Sequence, residues 1–149
     1  MRLLHRFLTL AADERRLLMK VSFLLVIIRL GLGLVPFTML RRVVVGQTRS
    51  AGWLANSDRS LADQIVWAVT ATSGRVPGWT TCLSRALAVH AMLARRGCPS
   101  SLHVGVVHGK CGALEGHAWV EREGRILIGG ATSEIAHFAR LAAFDVEAT

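Results

Sequence analysis

Two residues of this chain, Cys82 and His117, have types and surroundings that point to chemistry. Cys82 follows a Pro-Gly turn and two threonines, at the point where a helical pattern begins. The positive end of a helix dipole favours the thiolate form of a cysteine, and an N–H group of the first turn can stabilise a developing oxyanion. His117 starts a predicted strand, and an imidazole that folds back beside the thiol acts as its base. The pair therefore predicts thiol chemistry on an acyl group.

The elements that must position these two residues follow from the spacing of apolar residues. Three helices are predicted: from Ser60 to about Ser73-Gly74, from Thr81 or Cys82 to Arg95-Arg96-Gly97, and a short one from Thr132 through Leu141. Three strands are predicted over 102–107, 117–121 and 125–128. Turns over 109–112 and at Glu123-Gly124 make the strands antiparallel. The order predicts an α+β fold, with N-terminal helices followed by a small antiparallel sheet packed on the cysteine-bearing helix.

A long apolar stretch precedes this core. Residues 10–31 predict a helix, and Val21 to Leu40 contains one charge, Arg29, over a length that is sufficient to cross a bilayer. Inserting Arg29 near the middle would cost roughly 2.5–3.5 kcal/mol, and two glycines and a proline interrupt the second half. We therefore expect a helix that is buried by the domain or by a partner, in which Arg29 pairs with an acidic side chain or with backbone carbonyls. A membrane span is the alternative.

Composition and charge limit the class of protein. The chain has 149 residues, 52% of them hydrophobic and 19% charged, which excludes disorder and allows one domain with a core. The net charge of +8 comes mostly from arginine. Because the basic residues form no dense stripe with interleaved aromatics, acidic peptides or proteins are expected partners and nucleic acid is not. A small, polar loop over 46–57 divides an N-terminal helical portion, residues 1–57, from a compact core, residues 58–149.

The other cysteines and histidines predict no metal site. Three cysteines are too few for a disulfide framework, and no signal peptide with a cleavage site is visible, so we expect a reducing cytoplasm. Cys98 is expected to fill a gap under a turn, Cys111 to be exposed, and His90 to lie in the core or beside the site. A zinc cluster of Cys98, His103, Cys111 and His117 would match no common ligand spacing.

Four segments carry a recognisable pattern. They are Pro77-Gly78-Trp79-Thr80-Thr81-Cys82-Leu83, Leu93-Ala94-Arg95-Arg96-Gly97, Leu102-His103-Val104-Gly105-Val106 and Gly116-His117-Ala118-Trp119-Val120-Glu121. Together, over about residues 60–130, they resemble the leader peptidase of lasso-peptide biosynthesis, a transglutaminase-like cysteine protease family. The resemblance implies a papain-like half-fold in which the cysteine lies on a helix and the histidine on the adjoining sheet.

The resemblance also implies an activity and its partners. The family removes the leader from a ribosomally made precursor peptide, before a separate ATP-dependent cyclase closes the ring, and it needs no metal or organic cofactor. In split systems a small separate protein recognises the leader. This chain has no room for that recognition domain, so it is expected to be the stand-alone peptidase.

One position departs from the family pattern. An acidic third residue is expected on the strand after the one that carries the histidine, where this chain has Ile128-Gly129-Gly130. A backbone carbonyl of either glycine is one substitute for that acid, and Glu134 or Asp145 reaching in from the C-terminal segment is another. Glu121 lies on the same strand face as His117, but it is four residues away. That spacing corresponds to roughly 13 Å along a strand, which is too far for Glu121 to contact the imidazole. The third member of a triad is therefore left open.

The leading hypothesis is a cytoplasmic cysteine endopeptidase with Cys82 as nucleophile and His117 as base. One rival is a transglutaminase-like acyl transferase, which passes the acyl group to an amine instead of water. The other is a non-catalytic scaffold that binds the precursor and the cyclase through its apolar helices.

Overall fold

The computed structural model describes residues 12–46, 59–74, 81–109 and 112–146. Its helices are α1 (Ala12–Leu34), α2 (Phe37–Val45), α3 (Arg59–Ser73), α4 (Cys82–Ala94) and α5 (Thr132–Ile135), and its strands are β1 (Ser100–His108), β2 (Leu114–Arg122), β3 (Arg125–Ile128) and β4 (Ala139–Val146). Helices precede one antiparallel four-stranded sheet of order β3-β2-β1-β4. The predicted α+β fold is confirmed.

Helix α1 is longer than the predicted 10–31. It continues through Gly31 and Gly33 to Leu34, and the chain turns at Pro36, which disfavours a helical residue before it. A Cβ atom at Gly31 would collide with the side chain of Leu40 on α2, so this glycine lets α2 pack closely. The start of the predicted helix, before Ala12, lies outside the described residues.

Helix α1 is also long and apolar enough to cross a membrane, by length and composition alone. Its inner face packs in the core, where Val21 and Ile28 are both 0% exposed. Arg29 has intermediate exposure, and its Nε atom is buried with no hydrogen-bond partner among the described residues. The expected partner of Arg29 is therefore not found in this part of the chain.

Helix α4 forms the centre of the structure. Thr81 caps it: its hydroxyl accepts a hydrogen bond from the Ser84 N–H (3.2 Å), and the Ser84 hydroxyl accepts one from the Thr81 N–H (2.9 Å). Every residue from Ala86 to Ala94 is buried. The helix ends before Gly97, which has a positive φ of 68°, as predicted from the sequence.

The C-terminal segment differs from its prediction. A helix was expected from Thr132 through Leu141, but α5 ends at Ile135 and the chain from Ala139 forms β4, which pairs with β1. Alternate residues of β4 turn inward, among them Phe144 and Val146. This period of two belongs to a strand. The predicted cap at Thr132-Ser133 is wrong: Ala131 is the N-cap residue of α5, and Thr132 and Ser133 lie within its single turn.

One hydrophobic core joins the two portions of the chain. Buried residues of α1 and α2 belong to the same cluster as those of α3, α4 and the sheet. The predicted boundary at residue 57 falls in a segment outside the described residues, and the division at that point stays a prediction.

We expect the stability of the fold to fall on acidification because of His90. Burial lowers the pKa of His90 from 6.5 to about 4; the Arg41 charge acts in the same direction and the Asp145 charge opposes it. Between these two values the unfolded chain binds a proton that the folded chain does not, so stability is complete above the higher value and is lost as the pH falls through the interval. The loss is on the order of 3 kcal/mol.

The measurement is the free energy of unfolding in urea, at neutral pH and near pH 4. His90→Gln should remove much of this pH dependence, whereas His108→Gln, which replaces an exposed histidine of β1, should leave it intact. An unchanged pH dependence in His90→Gln would contradict the assignment.

Candidate functional site

Cys82 is the first residue of α4, where the Thr81–Ser84 capping box fixes the direction of the helix. Its thiol is free and partly buried, and Sγ lies 3.9 Å from the carbonyl oxygen of Gly116, the residue before His117. The backbone N–H at the first helical position has no acceptor within the helix. The thiol therefore lies beside an N–H donor and the positive end of a helix of 13 residues.

His117 contacts two aromatic side chains. It lies on β2, opposite Gly105 of β1. Its ring stacks on Trp119 with ring centres 6.3 Å apart and lies tilted against Phe138 with ring centres 5.0 Å apart. Trp119 itself is fully buried, so one support of the imidazole is rigid.

The third contact of His117 is a backbone carbonyl. Its Nε2 atom contacts the carbonyl oxygen of Gly129. A carbonyl oxygen only accepts, so the pair forms a hydrogen bond when Nε2 carries the proton, and Nδ1 then keeps the lone pair that a base needs. Of the substitutes that the sequence leaves open, the structure brings the glycine carbonyl to the imidazole. Asp145 lies on β4 opposite Ser101 of β1. His117 lies opposite Gly105, four residues further along β1, so Asp145 is not beside the imidazole.

The backbone at Gly129 explains why an acidic side chain is absent there. Gly129 has a φ of +114°, and a Cβ atom at this position would lie 2.5 Å from the Trp119 Cβ and 2.8 Å from the Ala118 carbonyl oxygen. An aspartate at position 129 therefore does not fit this backbone. The Gly129 carbonyl, and no side chain of that residue, contacts the imidazole.

Cys82 and His117 line the same cleft, with a volume of about 490 Å³. Its other lining residues are Arg85, Ile128, Gly129, Gly130, Glu134 and Phe138. A thiol, an imidazole and a helix N-terminus around one cleft have the parts for nucleophilic attack on a carbonyl group. Within the described residues, no group of three or more histidine, cysteine or acidic side chains is able to hold a metal ion.

Arg85 is a cleft residue that the sequence analysis missed. It lies one turn after Cys82 on α4. Side chains three residues apart lie on the same face of a helix, and this spacing could have identified Arg85 from the sequence. Its Nε atom is buried without a hydrogen-bond partner in the described ranges. Glu134 faces the same cleft, where its carboxylate accepts a hydrogen bond from the Ala131 N–H (2.9 Å). The cleft thus has one cation and one anion on its walls.

Within the part of the chain that the structure describes, the other histidines are not among the residues that line the cleft. His90 is buried in α4, with Nδ1 3.1 Å from the Ser100 hydroxyl. His103 also stacks on Trp119, with ring centres 5.4 Å apart. Burial lowers the pKa of His103, an effect that Arg140 reinforces and that Glu121 and Asp145 oppose. His103 Nε2 lies 3.6 Å from the Glu121 carboxylate, so Glu121 is near His103 and not near the base.

Cys98 follows the turn that ends α4, and its side chain is buried, as expected for a residue that fills space under that turn. Its Sγ lies 3.9 Å from the carbonyl oxygen of Arg96. Cys111 and the segment 76–80 before the cysteine helix lie outside the described residues.

The family model of the Transglutaminase-like superfamily matches residues 24–143. The match includes α2, α3, α4, α5 and strands β1 to β3 in full, the second half of α1 and the first part of β4, so it covers both Cys82 and His117. Comparison with curated proteins and with solved structures finds no match.

We expect Gly129→Ala to reduce both stability and activity. The positive φ costs on the order of 1–3 kcal/mol for a residue other than glycine, and the added methyl group collides with the rigid backbone of Ala118 and with Trp119. Relief of the collision moves the carbonyl away from His117. Thermal unfolding and turnover of the best available peptide substrate measure the two effects.

Gly130→Ala is the matched control. Its φ of +110° gives it the same backbone penalty, but its added Cβ would meet only the end of the flexible Glu134 side chain, at 2.6 Å. Gly130→Ala should therefore lose stability to a similar or smaller extent and keep more activity. Equal loss of activity in the two variants would argue against a role for the Gly129 carbonyl.

Proposed function

The chain belongs to the Transglutaminase-like superfamily, and on that premise we propose that it is a cysteine peptidase that removes the leader from a ribosomally synthesised lasso-peptide precursor before ring closure. The superfamily includes cysteine proteases and acyltransferases. The observation that carries the proposal is the common cleft of the Cys82 thiol, at a helix N-terminus, and the His117 imidazole.

In the proposed reaction His117 Nδ1 accepts the proton of the Cys82 thiol, and Sγ attacks the scissile carbonyl carbon. The backbone N–H of Cys82 donates to the oxyanion that forms. The imidazolium then protonates the departing amine, which leaves a thioester on Cys82. A water molecule that gives its proton to His117 hydrolyses the thioester and restores the thiol. Throughout, the Gly129 carbonyl accepts from Nε2–H and keeps the ring in the reactive orientation.

The lasso-peptide precursor as substrate rests on the sequence motifs around Cys82 and His117. On the same basis we propose a separate leader-recognition protein and an ATP-dependent lasso cyclase as partners, a cytoplasmic location, no cofactor and no nucleic acid. Arg85 and Glu134 on the cleft walls favour a peptide, which presents backbone carbonyl and N–H groups to both charges.

An acyl transferase is the second candidate, because the same residues make the same thioester. The two functions differ only in whether water or an amine attacks it. The mass of the product distinguishes them, since hydrolysis adds the mass of water across the two fragments and transfer joins the acyl group to the amine.

We expect Cys82→Ala to abolish cleavage of the precursor and to leave the fold intact, because it removes the thiol and little volume. Mass spectrometry of precursor incubated with the protein and its recognition partner measures cleavage. Cys98→Ala is the control: it replaces the buried cysteine in the turn after α4 and should keep most activity.

His117→Ala should lower turnover by at least about a hundredfold, as for the loss of a general base.

Equal loss of activity in the Cys82 and Cys98 variants would point to a structural role for both thiols. Binding of the precursor without turnover by the unmodified chain, with the partner present, would favour the scaffold and overturn the peptidase.

We also expect the purified chain to cleave its precursor poorly alone and much faster with a separate leader-recognition protein. The partner would raise the effective concentration of the scissile bond near Cys82. Initial rates at low precursor concentration, with and without the partner, measure the gain. Full activity of the chain alone under these conditions would contradict the prediction.

A further inference from the structure

Helix α1 has two apolar faces on nearly opposite sides. The inner face is covered by the core. The outer face consists of Met19, Phe23, Val26, Ile27, Leu30 and Leu34, which recur at helical spacing along about 22 Å of the helix. Phe23 is 70% exposed and Leu34 is 81% exposed. A helix that is apolar all round is normally covered on all sides, so the outer face calls for an occupant.

The outer face of α1 continues onto α2. Met39 and Val43 are exposed on α2, and nine of the twelve large apolar side chains that are exposed among the described residues lie between Met19 and Val43. Scattered single apolar residues are normal on a protein surface, but a concentration of this kind marks an interaction site. A groove of about 570 Å³ runs along it, with Phe23, Ile27 and Val43 on its walls.

After the first turn of α1, which carries Asp13 and Glu14, the charges around this surface have one sign. From Arg15 to Gly46 the chain has six arginines and lysines and no acidic residue. Lys20 lies at the groove, and Arg95 and Arg96 close the same groove from the end of α4. The occupant is therefore expected to be anionic where it meets these side chains.

A lipid surface fits the outer face better than a protein does. A protein interface has about one hydrogen bond for each 100–200 Å², whereas the six side chains of the outer face have no hydrogen-bonding group. The mean hydropathy of this helix reaches 2.1, in the range of membrane-crossing helices. The packing of α1 favours docking on the bilayer surface over insertion across it, because Val21 and Ile28 on the inner face are 0% exposed and packed in the core.

We propose that the chain docks on an anionic phospholipid bilayer through the outer face of α1 and α2. The apolar stripe enters the interfacial layer while Lys20, Arg95 and Arg96 contact lipid phosphates. The docking is peripheral and reversible. It requires no catalytic residue and is independent of the proposed peptidase activity.

Co-sedimentation with vesicles tests the proposal. The protein should bind vesicles of equal phosphatidylcholine and phosphatidylglycerol content at least about tenfold more strongly than vesicles of phosphatidylcholine alone, and added salt should weaken the binding. Alkaline carbonate should release it. Phe23→Asn combined with Leu30→Asn should lower the binding by about tenfold or more, because two large apolar side chains no longer enter the bilayer.

Two controls keep the result specific. Leu141→Asn replaces a side chain of β4 that is 66% exposed, and it should bind as the unmodified protein does. Arg95→Glu with Arg96→Glu should reduce binding to the anionic vesicles, whereas Arg125→Glu on β3 should have a smaller effect. Both apolar substitutions are on exposed residues, and unchanged thermal unfolding would verify that the variants are folded.

Three outcomes would overturn the proposal. Equal binding to the two kinds of vesicle, or none to either, would exclude an anionic lipid surface. Resistance to alkaline extraction would indicate a spanning helix. A stable dimer in solution that the Phe23 and Leu30 substitutions dissociate would assign the outer face to a second copy of the chain.

Discussion

The packing of α4 against β1 and β2 holds the thiol and the imidazole together. Cys82 begins α4 and His117 lies on β2, so their relative position depends on how this helix sits on the sheet. From Ala86 to Ala94 the helix is buried, with α1, α2 and α3 against its other sides. An interior of this density transmits small changes in volume. A substitution in the core, at Leu87 for example, would therefore be felt at the cleft.

The second constraint is the backbone at Gly129. A carbonyl orients the imidazole but adds no negative charge beside it. A carboxylate would do both, and its hydrogen bond would also be stronger, because one partner is ionised. The N-terminus of α4, with its capped first turn, favours negative charge on the Cys82 sulfur, but it does not replace the support that a carboxylate gives to a positively charged imidazole. The contacts of the His117 ring with Trp119 and Phe138 restrict its orientation in addition to the contact with the Gly129 carbonyl.

Cap and turn residues in the sequence predicted where helices end and where strands are joined. Thr81 and Gly97 mark the ends of α4, and the Glu123-Gly124 turn joins β2 and β3, because caps and turns depend on a few neighbouring residues. The fourth strand was missed, since β4 is defined by pairing with β1, about forty residues away in the chain. The carbonyl contact at His117 was one of several alternatives, because sequence spacing alone does not decide which backbone atom meets a side chain.

The outer face of α1 illustrates a different limit. The sequence predicted an apolar helix covered by the domain or by a partner, and the structure shows that the domain covers one side. Helix α4 relates the two functional regions, because its first residue is Cys82 and its end borders the groove at Arg95 and Arg96. At 1.5 Å per residue, its 13 residues separate these ends by about 20 Å. The groove and the cleft therefore lie at opposite ends of α4, and neither Cys82 nor His117 is among the residues that line the groove.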